Sequence, residues 1–194
     1  MNQEAVRVAV LLAGWPDRLG EWLADARAFE AAGADALWVD LDSESGLDPL
    51  ALLAALAALT HRALLVAAVP TADRPPEALG RTLATVGRLA RRRLALVADA
   101  EHLGELAALA PELERFFWLP GEPAAFERPR DEGDPERWVQ VPPPEGRAAW
   151  RTALADAAAA GTHGVLVPAG PRLLDILRNP DDPGGRQDLQ LAQG

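Results

Sequence analysis

The chain has no cysteine, and that one absence removes disulfides, thiol nucleophiles and cysteine-ligated zinc together. Lysine is missing too: all 19 basic residues are arginine. A Schiff-base amine and the lysine of a phosphate-binding P-loop are thereby excluded. Tyrosine is absent, and serine occurs only at Ser43 and Ser45, neither in a nucleophile elbow. No apolar run of about 18 residues is free of charge, proline or glycine, so no membrane-spanning helix is expected. The opening MNQEAVRVAVLLAGW lacks a basic leader region and carries Glu4. It reads as a strand, not a signal peptide, and a cytosolic location is expected. A formal charge of −10 argues against nucleic acid or an anionic membrane as partner. The one basic run, Arg91-Arg92-Arg93, suits a helix C-terminus, where cations complement the helix dipole.

What is present is patterned. With 194 residues, 49% of them apolar and 25% charged, the chain has the make-up of one globular domain. That domain is expected over 1–178, followed by a polar tail over 179–194. VRVAVLL (6–12), ALWVDLD (36–42), RALLVAAV (62–69), RLALVA (93–98), RFFWL (115–119), RWVQV (137–141) and GVLVPA (164–169) read as buried strands. Helical segments lie between them. Asp17 is placed to cap one that ends before Gly33, and Asp48 and Pro49 are placed to start one that ends near Thr60. Others span about 76–90, 101–110, 145–160 and 170–179. Strand and helix alternate, which predicts a parallel sheet with helical crossovers. ARAFEAAGADALWV (26–39) also matches ALADAAAAGTHGVLV (153–167) around AAG, as a repeated helix, glycine stop and buried strand.

The turn after the first strand, AGWPDR, has a single glycine and no G-x-G-x-x-G, which disfavours an open nucleotide-binding sheet. A TIM-type barrel takes about 250 residues and at least about 200. The expected fold class is therefore α/β, a trimmed or incomplete (β/α) barrel of seven to eight mainly parallel strands. The Pro- and charge-rich 120–136 replaces an expected helix and reads as a long loop, a lid or a disordered segment. Leu189 and Leu191 leave room for an eighth strand in the tail.

FEAAGADALWV, DPLALLAALAALTHRALLVAAV, RTLATVGRLARRRLALVA, WVQV and LADAAAAGTHGVLVPAGPRLLDIL, in that order, resemble the bacterial luciferase-like superfamily. The resemblance spans most of residues 5–178. It implies a β/α barrel working with FMN or the deazaflavin coenzyme as an oxidoreductase or monooxygenase on a small organic substrate, often as a homodimer. Several family features differ here. Asp40-Leu41-Asp42-Ser43 stands where a polar Asp-His type pair follows the second strand. Ala67-Ala68-Val69-Pro70-Thr71 replaces a Gly-Thr type turn, and no glycine follows the fourth strand until Gly104. The substrate-covering insertion is absent. A non-catalytic barrel serving as a binding or partner subunit is the second reading.

Barrel chemistry sits at the C-terminal ends of the strands. Of the three histidines, His61 and His163 precede strands and belong to the opposite end; only His102 follows one. His102, with Asp99 and Asp40, forms the candidate catalytic set, His102 as general acid or base or as donor to a flavin carbonyl. Candidate cofactor residues are Trp15 and Trp118, which could flank a flat ring, together with Asp42, Thr71, Arg74 and Arg172. Thr71 and Arg74 could reach a ribityl chain or phosphate, and Arg172 opens the last helix as a phosphate candidate. Pro168 and Pro171 reduce the N–H donors of that turn. The rival chemistry is a divalent metal held by Asp40, Asp42, Asp99, Glu101 and His102, although Asp42 and Asp99 also suit helix caps and turns.

Overall fold

The computed structural model describes residues 5–13, 18–40, 46–68, 75–98, 108, 110–111, 113–119, 122–130 and 133–180. Eight strands close into one barrel in chain order. They are β1 (Arg7–Ala13), β2 (Ala36–Asp40), β3 (Leu64–Ala68), β4 (Leu94–Ala98), β5 (Glu114–Leu119), β6 (Glu122–Arg128), β7 (Glu136–Gln140) and β8 (Gly164–Pro168). Five helices are described: α1 (Leu19–Ala31), α2 (Pro49–Leu59), α3 (Pro76–Leu89), α4 (Arg147–Ala159) and α5 (Pro171–Arg178). All strand pairs are parallel except those of β6, which runs antiparallel to β5 and to β7. Paired positions lead from Ala13 through Asp40, Ala68, Val97, Phe116, Arg128 and Glu136 back to β1 near Ala5, a stagger of about eight residues. The protein is a trimmed TIM-type barrel, and it closes.

Local chemistry sets the element ends. Asp48 Oδ1 accepts the Leu50 N–H at 2.9 Å, and Pro49 fills the first position of α2. That helix stops where Thr60 turns extended, its N–H still donating to Leu56 O at 2.8 Å. At α1 the N-cap position belongs to Arg18, with no side-chain cap bond, and Asp17 lies outside the described residues. Gly33 (φ 99°) and Gly161 (φ 73°) take the left-handed conformation that glycine adopts at least cost. Their turns match bond for bond. Gly33 N–H donates to Glu30 O and Ala34 N–H to Phe29 O; Gly161 N–H donates to Ala158 O and Thr162 N–H to Ala157 O. The repeat seen in the sequence is thus a repeated helix-to-strand joint.

Period-two alternation splits the core into two shells. Outward strand residues such as Val10, Leu37, Val39, Leu65, Leu96, Val165 and Val167 pack under the helices with Leu53, Leu56, Leu79, Leu83, Leu173 and Ile176. Inward residues such as Ala9, Leu11, Trp38, Val66, Val97, Phe116, Phe126, Trp138 and Leu166 fill the barrel. Each large buried side chain contributes roughly 1.5–3 kcal/mol of transfer free energy.

The reading of 120–136 as a loop is corrected. Residues 122–128 form β6 and complete the barrel. The eighth strand is supplied there, and the tail from 181 onward lies outside the described residues. The charges that suggested solvent are paired at the barrel mouth: Arg128 contacts Glu114 and Glu136.

Candidate functional site at the C-terminal mouth

An aromatic plug divides the barrel interior. The Trp38 ring lies 5.0 Å from Phe116 and 4.6 Å from Phe126, and Phe116 meets Trp138 edge-on at 5.5 Å. Such offset and T-shaped contacts suit ring quadrupoles. All four rings are buried, so this plug is the floor that separates the two mouths of the barrel.

Ion pairs occupy the N-terminal mouth. Glu136, 5% exposed, contacts Arg7, lies 3.4 Å from Arg128 and 3.6 Å from Arg130, and accepts the Trp138 indole N–H at 3.3 Å. Burial alone raises its carboxyl. The hydrogen bond and charge of Arg7, the charge of Arg128 and the indole N–H outweigh that, holding it below the usual carboxylate range. Nearby, the Glu30 carboxylate accepts backbone N–H groups of His61, Arg62 and Ala63 at 2.7–3.0 Å. Burial opposes its ionisation too, but those three donors and the charge of Arg93 lower it. Arg93 in turn donates to Ala63 O at 2.7 Å and Thr60 O at 2.9 Å. His61 is exposed here, and His163 Nδ1 accepts the Arg137 N–H at 3.2 Å. Both histidines sit at this end, as their places before β3 and β8 imply.

The C-terminal mouth is different. Asp40 ends β2 two residues after Trp38, and Gln140 ends β7 two residues after Trp138. Alternation turns both toward the barrel axis above the aromatic floor, and both are exposed. Around them the inward positions are small or apolar: Leu11, Val97, Leu166 and Pro168. The β8–α5 turn reaches the same mouth. Its Ala169 N–H donates to Leu11 O at 2.9 Å, Gly170 has open space where a Cβ would sit, and Arg172 is exposed in the first turn of α5.

Of the residues singled out from sequence, the fold brings Asp40 and Arg172 to this mouth. Trp118 lies in β5, paired with Phe126; its side chain is outside the described set. Trp15, Asp42, Thr71, Arg74, Asp99 and His102 lie outside the described residues, as does Glu101 of the alternative metal set. Among the described residues no three His, Asp or Glu side chains form a metal-binding group. Gln140 was missed by sequence reasoning. The signal for it was present: in ERWVQ the inward Trp138 fixes residue 140 as inward.

No family model matches the chain, and no curated protein matches it. Among solved structures, tryptophan synthase from M. tuberculosis in its aminoacrylate- and BRD0059-bound form is 18% identical, with a TM-score of 0.57 over 91% of each chain. The open form with BRD0059 bound is 16% identical, with a TM-score of 0.56 and the same coverage. Riboflavin lyase with modified FMN and substrate riboflavin is 22% identical, with a TM-score of 0.41 over 48% of this chain and 29% of that one. The likeness to tryptophan synthase shows the barrel fold alone. The partial likeness to riboflavin lyase carries no argument about function. Among the described residues no helix is long and apolar enough to cross a membrane.

Proposed function

We propose that the protein is a luciferase-like barrel oxidoreductase or monooxygenase that holds FMN or the deazaflavin coenzyme, and a small organic substrate, at the C-terminal mouth. One observation carries the reading. The polar ends of two strands, Asp40 and Gln140, stand over an aromatic floor at the mouth where barrels place their chemistry, while ion pairs line the other mouth.

The bound cofactor supplies the electron transfer. The chain's own residues bind, orient and exclude water. Asp40 accepts hydrogen bonds from ring N–H or substrate hydroxyl groups, and Gln140 offers both a donor and an acceptor to ring edges. Arg172 and the α5 N-terminus face a phosphate. His102 and Asp99, which follow β4 in the sequence, provide proton transfer in this reading. Trp15, Asp42, Thr71, Arg74 and Trp118 complete the cofactor contacts in this proposal. The reading extends to a homodimer built on outer helix faces.

Titration of FMN and of deazaflavin coenzyme into the protein, followed by flavin fluorescence, tests the proposal. Saturable micromolar binding of either one, weakened by Asp40→Ala, is the expected result. If neither binds, the non-catalytic barrel is the reading that stands.

A further inference from the structure

We propose a second site, at the N-terminal mouth, that takes a phosphoryl anion in a cavity of about 160 Å³ walled by Arg7, Arg62, Arg92, Arg93 and Arg128. It lies at the opposite end of the barrel from the flavin site and does not depend on that reading.

Five arginines line this cavity from four separate segments: β1, the α2–β3 turn, the α3–β4 turn and β6. Like-charge repulsion opposes gathering them unless acceptors are supplied. The chain supplies only part of them. Glu136 takes up Arg7 and shares Arg128 with Glu114. Arg62 donates to Glu30 O at 3.0 Å, and Arg93 uses its two terminal nitrogens on Thr60 and Ala63. Arg93 Nε is buried with no hydrogen-bond partner. Arg92 has no side-chain partner among the described residues, and it stands on the cavity wall from a left-handed backbone with φ 67°. A guanidinium carries five N–H groups, so spare donors remain on Arg62 and Arg92.

A phosphoryl group matches what is left. It carries close to two negative charges and three strong acceptor oxygens, the partners that arginine forks bind best. The cavity has room for a group of that size. Trp138 forms its inner wall, with Arg7 stacked at 5.1 Å from the ring centroid, so that guanidinium is held in place before any ligand arrives. Asp35 also borders the cavity, but its carboxylate accepts the Val8 N–H at 2.7 Å and is partly spent. The concave shape and the acidic whole chain oppose a polymeric phosphate backbone. The ligand is therefore free phosphate or the phosphate end of a small molecule.

The test is calorimetric titration of the intact protein with inorganic phosphate and with methyl phosphate, at fixed ionic strength set by chloride. Saturable binding of at least one is expected in the millimolar range or tighter. Arg92→Gln and Arg62→Gln, both at exposed positions, should each weaken it roughly tenfold while leaving the circular dichroism spectrum unchanged. Tighter binding of methyl phosphate would point to a phosphorylated small molecule, and tighter binding of the inorganic ion to free phosphate. No saturable heat with either ligand, or affinity unchanged in both folded variants, overturns the proposal.

Discussion

Gly164 on β8 has no side chain because the indole of Trp138 on β7 fills that space: a Cβ there would lie 2.3 Å from Cε3 of the ring. The two residues are register partners. The indole cannot move aside cheaply, since Phe116 meets it edge-on and its N–H donates to Glu136. Gly164→Ala should therefore destabilise the barrel by about 3 kcal/mol, the upper range for overpacking a filled core. Urea unfolding measures this, and a loss below about 1 kcal/mol would show that the ring has room.

Glu136→Gln should cost about 3 kcal/mol, because it leaves the Arg7 charge without its carboxylate in a mostly buried mouth, while Arg128 keeps Glu114. The same carboxylate links stability to pH. Its folded-state value lies below the ordinary 4.5, as does that of Glu30. A depressed carboxyl contributes its stability above the unfolded value and loses it as pH falls toward and through the folded value. Stability should therefore hold above pH 4.5 and drop below it. The fall should be shallower in Glu136→Gln, as urea midpoints taken from neutral to acid pH would show.

Glu30→Ala removes one acceptor group that serves three successive backbone donors. Ala63 is buried, so its N–H is left without water as well as without a partner. A loss of about 2 kcal/mol is expected. Hydrogen exchange gives the local readout: the Ala63 amide should lose protection ahead of amides in β2 and β4.

Asp40→Ala tests the proposed cofactor mouth. Asp40 is exposed at a strand end, so folding stability should be unchanged. Affinity for whichever of FMN and deazaflavin coenzyme binds should fall about tenfold, the effect of one hydrogen bond to a charged group. Equal affinity in the variant and the parent would remove Asp40 from the site.

Much of the barrel was legible because its outer shell follows simple rules. The α2 helix shows its cap, its first-turn proline and its leucine stripe in one stretch, and each appears in the fold. The glycine joints at Gly33 and Gly161 were readable because left-handed turns select glycine. Arg91 and Arg92 take the same left-handed region without being glycine, and composition gives no sign of that. β6 was the principal miss. Its Pro123 and its charges argued for solvent, since a lone strand is judged by polarity. Arg128 faces inward because Glu114 and Glu136 wait there, one from each neighbouring strand. Such pairing over distance is invisible to any local window. The candidate site was half legible for a related reason. The rule that chemistry follows strand ends found Asp40 and Arg172. The inward orientation of Gln140 follows once Trp138 is known to point into the barrel.

The antiparallel course of β6 also bears on the order in which the barrel assembles. β5, β6 and β7 pair through short connections, whereas every parallel pair must first lay down a crossover. Short loops cost the least closure entropy, so the 114–140 meander is the quickest part of the sheet to form. The seam between β1 and β8 joins the two ends of the domain and is the slowest. An intermediate trapped before that seam closes would already hold Trp138 beside Phe126, with the space over Gly164 still to be matched.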